Sequence, residues 1–124
     1  MTDYSLQLGR ETTNSGNTGK VMVRYASELG RVCADQWSDS DAKVVCRELG
    51  FALGQAYRHF DTYSDNLDNY GPWWTSNVKC TGNETRFGDC PKDGWGQVKK
   101  CATSHAAGVL CYSYAGENLQ QIDL

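Results

Sequence analysis

The chain has 124 residues and a net charge of −3, the length of one ordinary domain, able to bury roughly two-thirds of the surface its unfolded form exposes. Thirteen glycines, four tryptophans and seven tyrosines, with few long helix-forming runs, argue against an all-helical bundle and for a loop-rich fold with much strand. The acidic balance removes the overall positive field of a nucleic-acid binder, and no apolar run approaches the roughly twenty residues that cross a bilayer, so neither nucleic acid nor membrane insertion by this segment is expected.

The start, MTDYSLQLGR, lacks the basic opening and apolar core of a signal peptide. It reads as a cytosolic start, or as an added one inside a longer protein. LQL and then KVMVRYASELGRVC read as short strands, with Val21 and Val23 alternating against Met22 and Arg24 as a half-buried strand requires. The intervening ETTNSGNTG is polar and turn-rich, an exposed loop. SDSDAKVVCRELGF carries the one clear helix signal: Asp39 or Ser40 as cap, Asp41 at the positive end of the dipole, Gly50 as stop, and Ala42, Val45, Cys46 and Leu49 on one face. From Ala56 to Gly71 no period holds, and the stretch reads as an extended surface loop with room for a short strand. WWTSNVKC reads as a strand ending at Cys80, TGNETRFGDC as a tight segment, AAGVLC as a last strand, and the remainder as a polar tail. The expected division is residues 1–3 as added start or linker, 4–113 as the domain, and 114–124 as tail or linker.

Six cysteines stand at 33, 46, 80, 90, 101 and 111, with 12, 33, 9, 10 and 9 residues between neighbours. No CxxC pair occurs and there are two histidines, His59 and His105, which argues against zinc. Three disulfides in an oxidising compartment fit the even count, but six cysteines permit 15 pairings and spacing does not choose among them. At this stage Cys33 remains open as a reactive thiol, a metal ligand or half of a cross-link.

GRVC, DAKVVCRELGF, NVKCTGNET, DCPKDGWG and AAGVLC, in this order and spacing, resemble the scavenger receptor cysteine-rich (SRCR) domain, from about Tyr4 to Tyr112. The six-cysteine subtype, group A, is the nearer match: the eight-cysteine subtype has a cysteine after the helix glycine, where this chain has Phe51. The resemblance implies an α+β fold in which a curved antiparallel sheet cradles one helix, with long loops and disulfides Cys33–Cys101, Cys46–Cys111 and Cys80–Cys90. In the loop-entropy model the short bridge would contribute roughly 2–3 kcal/mol and each long one roughly 4, less than additively. It also implies a non-catalytic, extracellular recognition module of a secreted or cell-surface protein that binds a protein partner through surface loops. Two alternatives stand beside this: cation-assisted capture of polyanionic microbial or modified-self ligands, and an ancillary domain of a secreted protease or lysyl oxidase.

Several such domains bind calcium through acids that this chain has mostly replaced. Ala34 with Asp35, Ser76 with Asn77, and His105 with Ala106 stand at three acid pairs, and Glu84 keeps the turn glutamate. Asp35, Asn77 and Glu84 are thus the remnant of a calcium site, and no other cofactor is expected. His105 in place of an acid would make binding depend on pH near neutrality if it contacted a ligand. Asp61, Asp65 and Asp68 fit no EF-hand spacing, and His59 with Asp61 lacks any activated nucleophile. Candidate ligand-binding residues are Arg58, Tyr63, Arg86, Lys92, Lys99 and Lys100, since arginine and aromatic residues dominate interface energetics. Trp95 reads as a binding anchor or a core plug, the resemblance implying the plug. Asn83-Glu84-Thr85 is an N-glycosylation acceptor sequence.

Overall fold

The structure, a computed structural model, describes residues 3–9, 18–61, 72–98, 100–102 and 105–113, and of 58–61 the backbone alone. The strands are β1 (Tyr4–Leu8), β2 (Thr18–Tyr25), β3 (Glu28–Val32), β4 (Leu53–Asp61), β5 (Trp73–Thr75) and β6 (His105–Tyr112); the helix, α1, is Asp39–Glu48. They form one sheet in the order β4-β6-β2-β3-β5, with β1 on β2. All pairings are antiparallel except β3 with β5.

β2 and β3 are joined by Ala26 and Ser27, both at positive φ, 53° and 69°, the backbone of the two-residue turn whose twist matches that of the flanking strands. The end of β3 then curls towards β6: the Cys33 N–H donates to Thr75 O at 2.9 Å, the Ala34 N–H to His105 O at 2.9 Å, and Cys33 bridges Ala106. The sheet is thereby bent into a half-barrel, and α1 lies across β4 and β6 inside it.

Val44, Val45, Ala42 and Cys46 of α1 meet Val21, Val23, Val32, Val109, Val78, Trp37 and Phe87, all buried. Trp37 fills the centre, its indole N–H donating to Gly108 O at 2.9 Å so that the buried polar atom is satisfied. The N-cap is Ser38, not Asp39 or Ser40: the Ser38 N–H donates to Asp41 Oδ2 at 2.8 Å, the reciprocal half of a capping box.

Three local readings change. β2 is the central strand, paired on both edges, and Lys20, Val21, Met22 and Val23 are all buried, so it is covered on both faces. The stretch from Ala56 to Asp61 is the outer part of β4, a nine-residue strand paired along β6. WWTSNVKC pairs only over Trp73–Thr75, because Asn77 takes a positive φ of 54° and the chain leaves the sheet.

The disulfides are Cys33–Cys101, Cys46–Cys111 and Cys80–Cys90, with no free cysteine. Cys33 is therefore structural. The first bridge holds the β3 end to the segment before β6, the second α1 to β6, and the third closes the turn after β5.

Candidate functional site

The calcium expectation, which the family resemblance implied, rests on Asp35, Asn77 and Glu84. Asp35 lies in the turn that follows Cys33, and its Oδ2 accepts the Ala102 N–H at 2.8 Å. Its carboxylate, Cys33 and Cys101 lie within 4.8 Å of one another, but sulfurs joined in a disulfide are not thiolate ligands. Glu84 sits beside the short Cys80–Cys90 bridge, grouped with both of its cysteines. Its carboxylate accepts the N–H groups of Thr81 at 3.1 and 3.0 Å and of Gly82 at 3.1 Å, and the Thr81 hydroxyl at 3.1 Å. These bonds, the Thr81 amide first, hold its carboxyl below the usual glutamate range. Asn77 donates through Nδ2 to Asp93 Oδ2 at 3.1 Å, and the Ser76 hydroxyl donates to the same oxygen. Thr75 Oγ1 adds a bond to the Asp93 carbonyl at 2.6 Å.

Each member of the remnant is thus tied to its own segment: Asp35 to the chain after Cys101, Asn77 to the Asp93 turn, Glu84 to the start of its own loop. Calcium takes six to eight oxygens from one cage. Asp35 and Glu84 offer carboxylates and Asn77 an amide, each hydrogen-bonded to a different segment.

The basic candidates separate in the same way. Arg86 forms an ion pair with Asp3 at 3.1 Å, approaches Glu48 Oε2 at 4.0 Å, and lies 4.7 Å above the Tyr4 ring. Lys92 is half-buried, 4.8 Å over the Trp95 ring and 5.5 Å over Phe87, and donates to Gly88 O at 3.0 Å. Burial lowers the Lys92 ammonium's affinity for its proton, partly offset by Asp89. Both cations brace an aromatic cluster in which Trp95 stands 5.3 Å from Tyr4 and 5.4 Å from Tyr25. Trp95 is half-buried against the core, the plug the resemblance implied. Lys100 is exposed. Arg58 lies on β4 with its side chain outside the described residues, as do Tyr63 and Lys99 altogether.

Behind this cluster is a network that sequence reading missed. Tyr4 donates its hydroxyl hydrogen to Glu48 Oε1 at 3.0 Å and accepts the Gly88 N–H at 2.7 Å, while Glu48 Oε1 accepts the Phe87 N–H at 2.7 Å. Burial, more than the neighbouring glutamate, pushes the Tyr4 phenol up to about 12. Nothing local in the sequence pairs residues 4 and 88. Asp41, also missed as a bonding centre, was legible in principle from Ser38-x-x-Asp41.

One surface residue stands apart. Tyr57 on β4 is 41% exposed, and no other large hydrophobic side chain among the described residues is exposed. A Cβ at Gly54 would meet Cys46 Sγ at 2.7 Å, so Gly54 faces α1; strand alternation then places Tyr57 on the opposite face of the sheet, with Gln55. Gln55 is held there by the Tyr112 hydroxyl at 2.6 Å.

Comparison with known proteins converges on one family. Residues 11–112 match the model of the scavenger receptor cysteine-rich domain. The chain is 38% identical over 95 residues to the macrophage receptor MARCO of Mus musculus, covering 77% of this chain, and 41% identical over 93 residues to a scavenger receptor cysteine-rich domain superfamily protein of Patiria pectinifera, covering 75%. It spans 17% and 8% of the length of those relatives. Among solved structures, the SRCR domain of mouse MARCO in its dimeric form superposes with a TM-score of 0.65 at 35% identity, covering 82% of this chain and 93% of that one. The third SRCR domain of murine neurotrypsin gives 0.70 at 34%, covering 90% and 98%. Domains of this family are extracellular recognition modules, generally non-catalytic. With one α-helix among the described residues, held in a curled, mostly antiparallel sheet, and three disulfides joining all six cysteines, the chain belongs to the scavenger receptor cysteine-rich domain family.

Proposed function

We propose that this domain is a non-catalytic module that recognises an extracellular protein partner without a bridging cation, through the sheet face bearing Tyr57. The observation that carries the reading is the 41% exposure of Tyr57 on the face turned away from α1. An aromatic side chain held on a strand offers a large contact area at little cost in conformational entropy. Supporting it, the Asp35 carboxylate accepts the Ala102 N–H and the Asn77 amide donates to Asp93, so both groups have partners within the fold.

The test is an array of extracellular ectodomains, with dextran sulfate as the polyanion, probed in calcium and in EDTA by the wild type, Tyr57→Ala and Asp35→Ala. The reading expects a protein ligand bound equally in both buffers and lost in Tyr57→Ala. Capture of dextran sulfate alone, only in calcium and lost in Asp35→Ala, overturns it in favour of cation-assisted polyanion binding.

A further inference from the structure

The acceptor sequence Asn83-Glu84-Thr85 lies in the turn closed by Cys80–Cys90. Its two chemically required residues point outward: Asn83 and Thr85 are both exposed. The residue between them points back, the Glu84 carboxylate taking up the N–H groups of Thr81 and Gly82. Asn83 is held through its backbone, its N–H donating to Thr81 Oγ1 at 3.2 Å, and neither its side-chain amide nor the Thr85 hydroxyl bonds to any described residue.

The turn rests against one flank of α1. A Cβ on Gly82 would lie 3.8 Å from Ser40 Cβ and 3.9 Å from Lys43 Cδ, and Arg47 Nη1 donates to Glu84 O at 3.1 Å. Ser40 and Lys43 also line the open cleft of about 330 Å³ that continues over Leu53 and Gly54. This flank is on the opposite side of the sheet from Tyr57.

We propose that Asn83 carries an N-linked oligosaccharide that stands over this flank of α1 and shields it. The donor is a lipid-linked oligosaccharyl diphosphate of the secretory pathway, the route an extracellular domain follows. The Asn83 Nδ2–C1 bond forms as the C1–O bond to the diphosphate breaks; the polyprenyl diphosphate leaves, the amide gives up one proton, and nothing is oxidised or reduced. The rigid turn then fixes where the glycan starts, and a bulky hydrophilic group there closes the helix side to large partners. This inference does not rest on the choice of ligand proposed above.

Protein secreted from mammalian cells is analysed by intact mass. Wild type is expected above its 13.8 kDa polypeptide mass and, after peptide-N-glycosidase, at that of the polypeptide with one asparagine converted to aspartate, with Asn83→Gln and Thr85→Ala unmodified and Thr85→Ser modified. Peptide mapping of the enzyme-treated wild type, finding aspartate at position 83, gives the answer even where a variant is not secreted. An amine reagent should label Lys43 several-fold more slowly before deglycosylation than after, with Lys79 unchanged. Wild type at its polypeptide mass, a mass shift that persists in Asn83→Gln, asparagine at position 83 after treatment, or equal labelling of Lys43 overturns the proposal.

Discussion

Asp41 Oδ1 accepts the backbone N–H of Cys80 at 2.7 Å, joining the first turn of α1 to the start of the Cys80–Cys90 loop. The carboxylate is fully buried, and its second oxygen holds the Ser38 N–H. Asp41→Ala leaves both main-chain donors without an acceptor, and a loss of about 2–4 kcal/mol is expected in urea unfolding. Burial pushes the Asp41 carboxyl above its ordinary range, against the bonds from Cys80 and Ser38. The folded chain therefore keeps a proton that the unfolded chain has released, and this contribution to stability is full at low pH and falls as pH rises through the raised value. Unfolding between pH 3.5 and 7 should show the gap between wild type and Asp41→Asn moving in the variant's favour as pH rises; a gap moving the other way would contradict the assignment.

Asp35 serves as a main-chain acceptor for the segment beside the Cys33–Cys101 bridge. Asp35→Ala should cost about 0.5–1.5 kcal/mol through the unpaired Ala102 N–H, by the same amount in calcium as in EDTA. Calorimetric titration with calcium is expected to give no saturable heat. Micromolar binding abolished by the substitution would restore the cation site.

The Tyr4 hydroxyl joins β1 to Glu48 and Gly88. Tyr4→Phe should lower stability by about 1 kcal/mol at neutral pH. Because the folded phenol titrates at about 12 against an ordinary 10.0, its contribution is full below pH 10 and is lost as pH rises towards 12. Chemical denaturation across that window is expected to show the difference between wild type and Tyr4→Phe closing.

Gly54 permits the close packing of α1 on β4. A Cβ there would stand 2.7 Å from Cys46 Sγ and 2.8 Å from the Ala42 carbonyl oxygen. The carbonyl belongs to the helix backbone and the sulfur is fixed in a bridge, so neither yields easily. Gly54→Ala should destabilise by about 1–3 kcal/mol, measured by thermal unfolding with the disulfides intact.

The same contact explains what the sequence concealed. α1 was legible because its apolar residues recur at helical spacing and Gly50 ends it. β4 was not, since the face it turns to the helix is made of Gly54 and Ala56; small residues permit the approach, and the alternation that marks a strand disappears with them. WWTSNVKC read as too long a strand because the departure at Asn77 is set by bonds to Asp93, sixteen residues on. At the site, Asp35 was recognisable as a surviving acid by its place after Cys33. Its partner was not, because Ala102 reaches it through a bridge whose pairing no spacing rule selects. The disulfide pattern came from likeness to a family, and the structure agrees with it. Arg86 and Lys92 were chosen as ligand-binding candidates by residue type, and the aromatic rings beneath them, Tyr4 and Trp95, could not be read from the sequence.

The place of β6 has a consequence for biosynthesis. Among the described residues it is the one strand paired with β4, and it also pairs the first residues of β2. During vectorial synthesis the β2–β3 hairpin and the Cys80–Cys90 loop can form as they emerge, whereas β4, apart from its Ala56 N–H held by Asp39 Oδ1 at 2.8 Å, has no strand to pair with among the described residues until 105–112 is available. Closure of the sheet, and with it the Cys46–Cys111 bridge, must wait for the last strand, so the unpaired β4 is the segment a lumenal chaperone would have to guard.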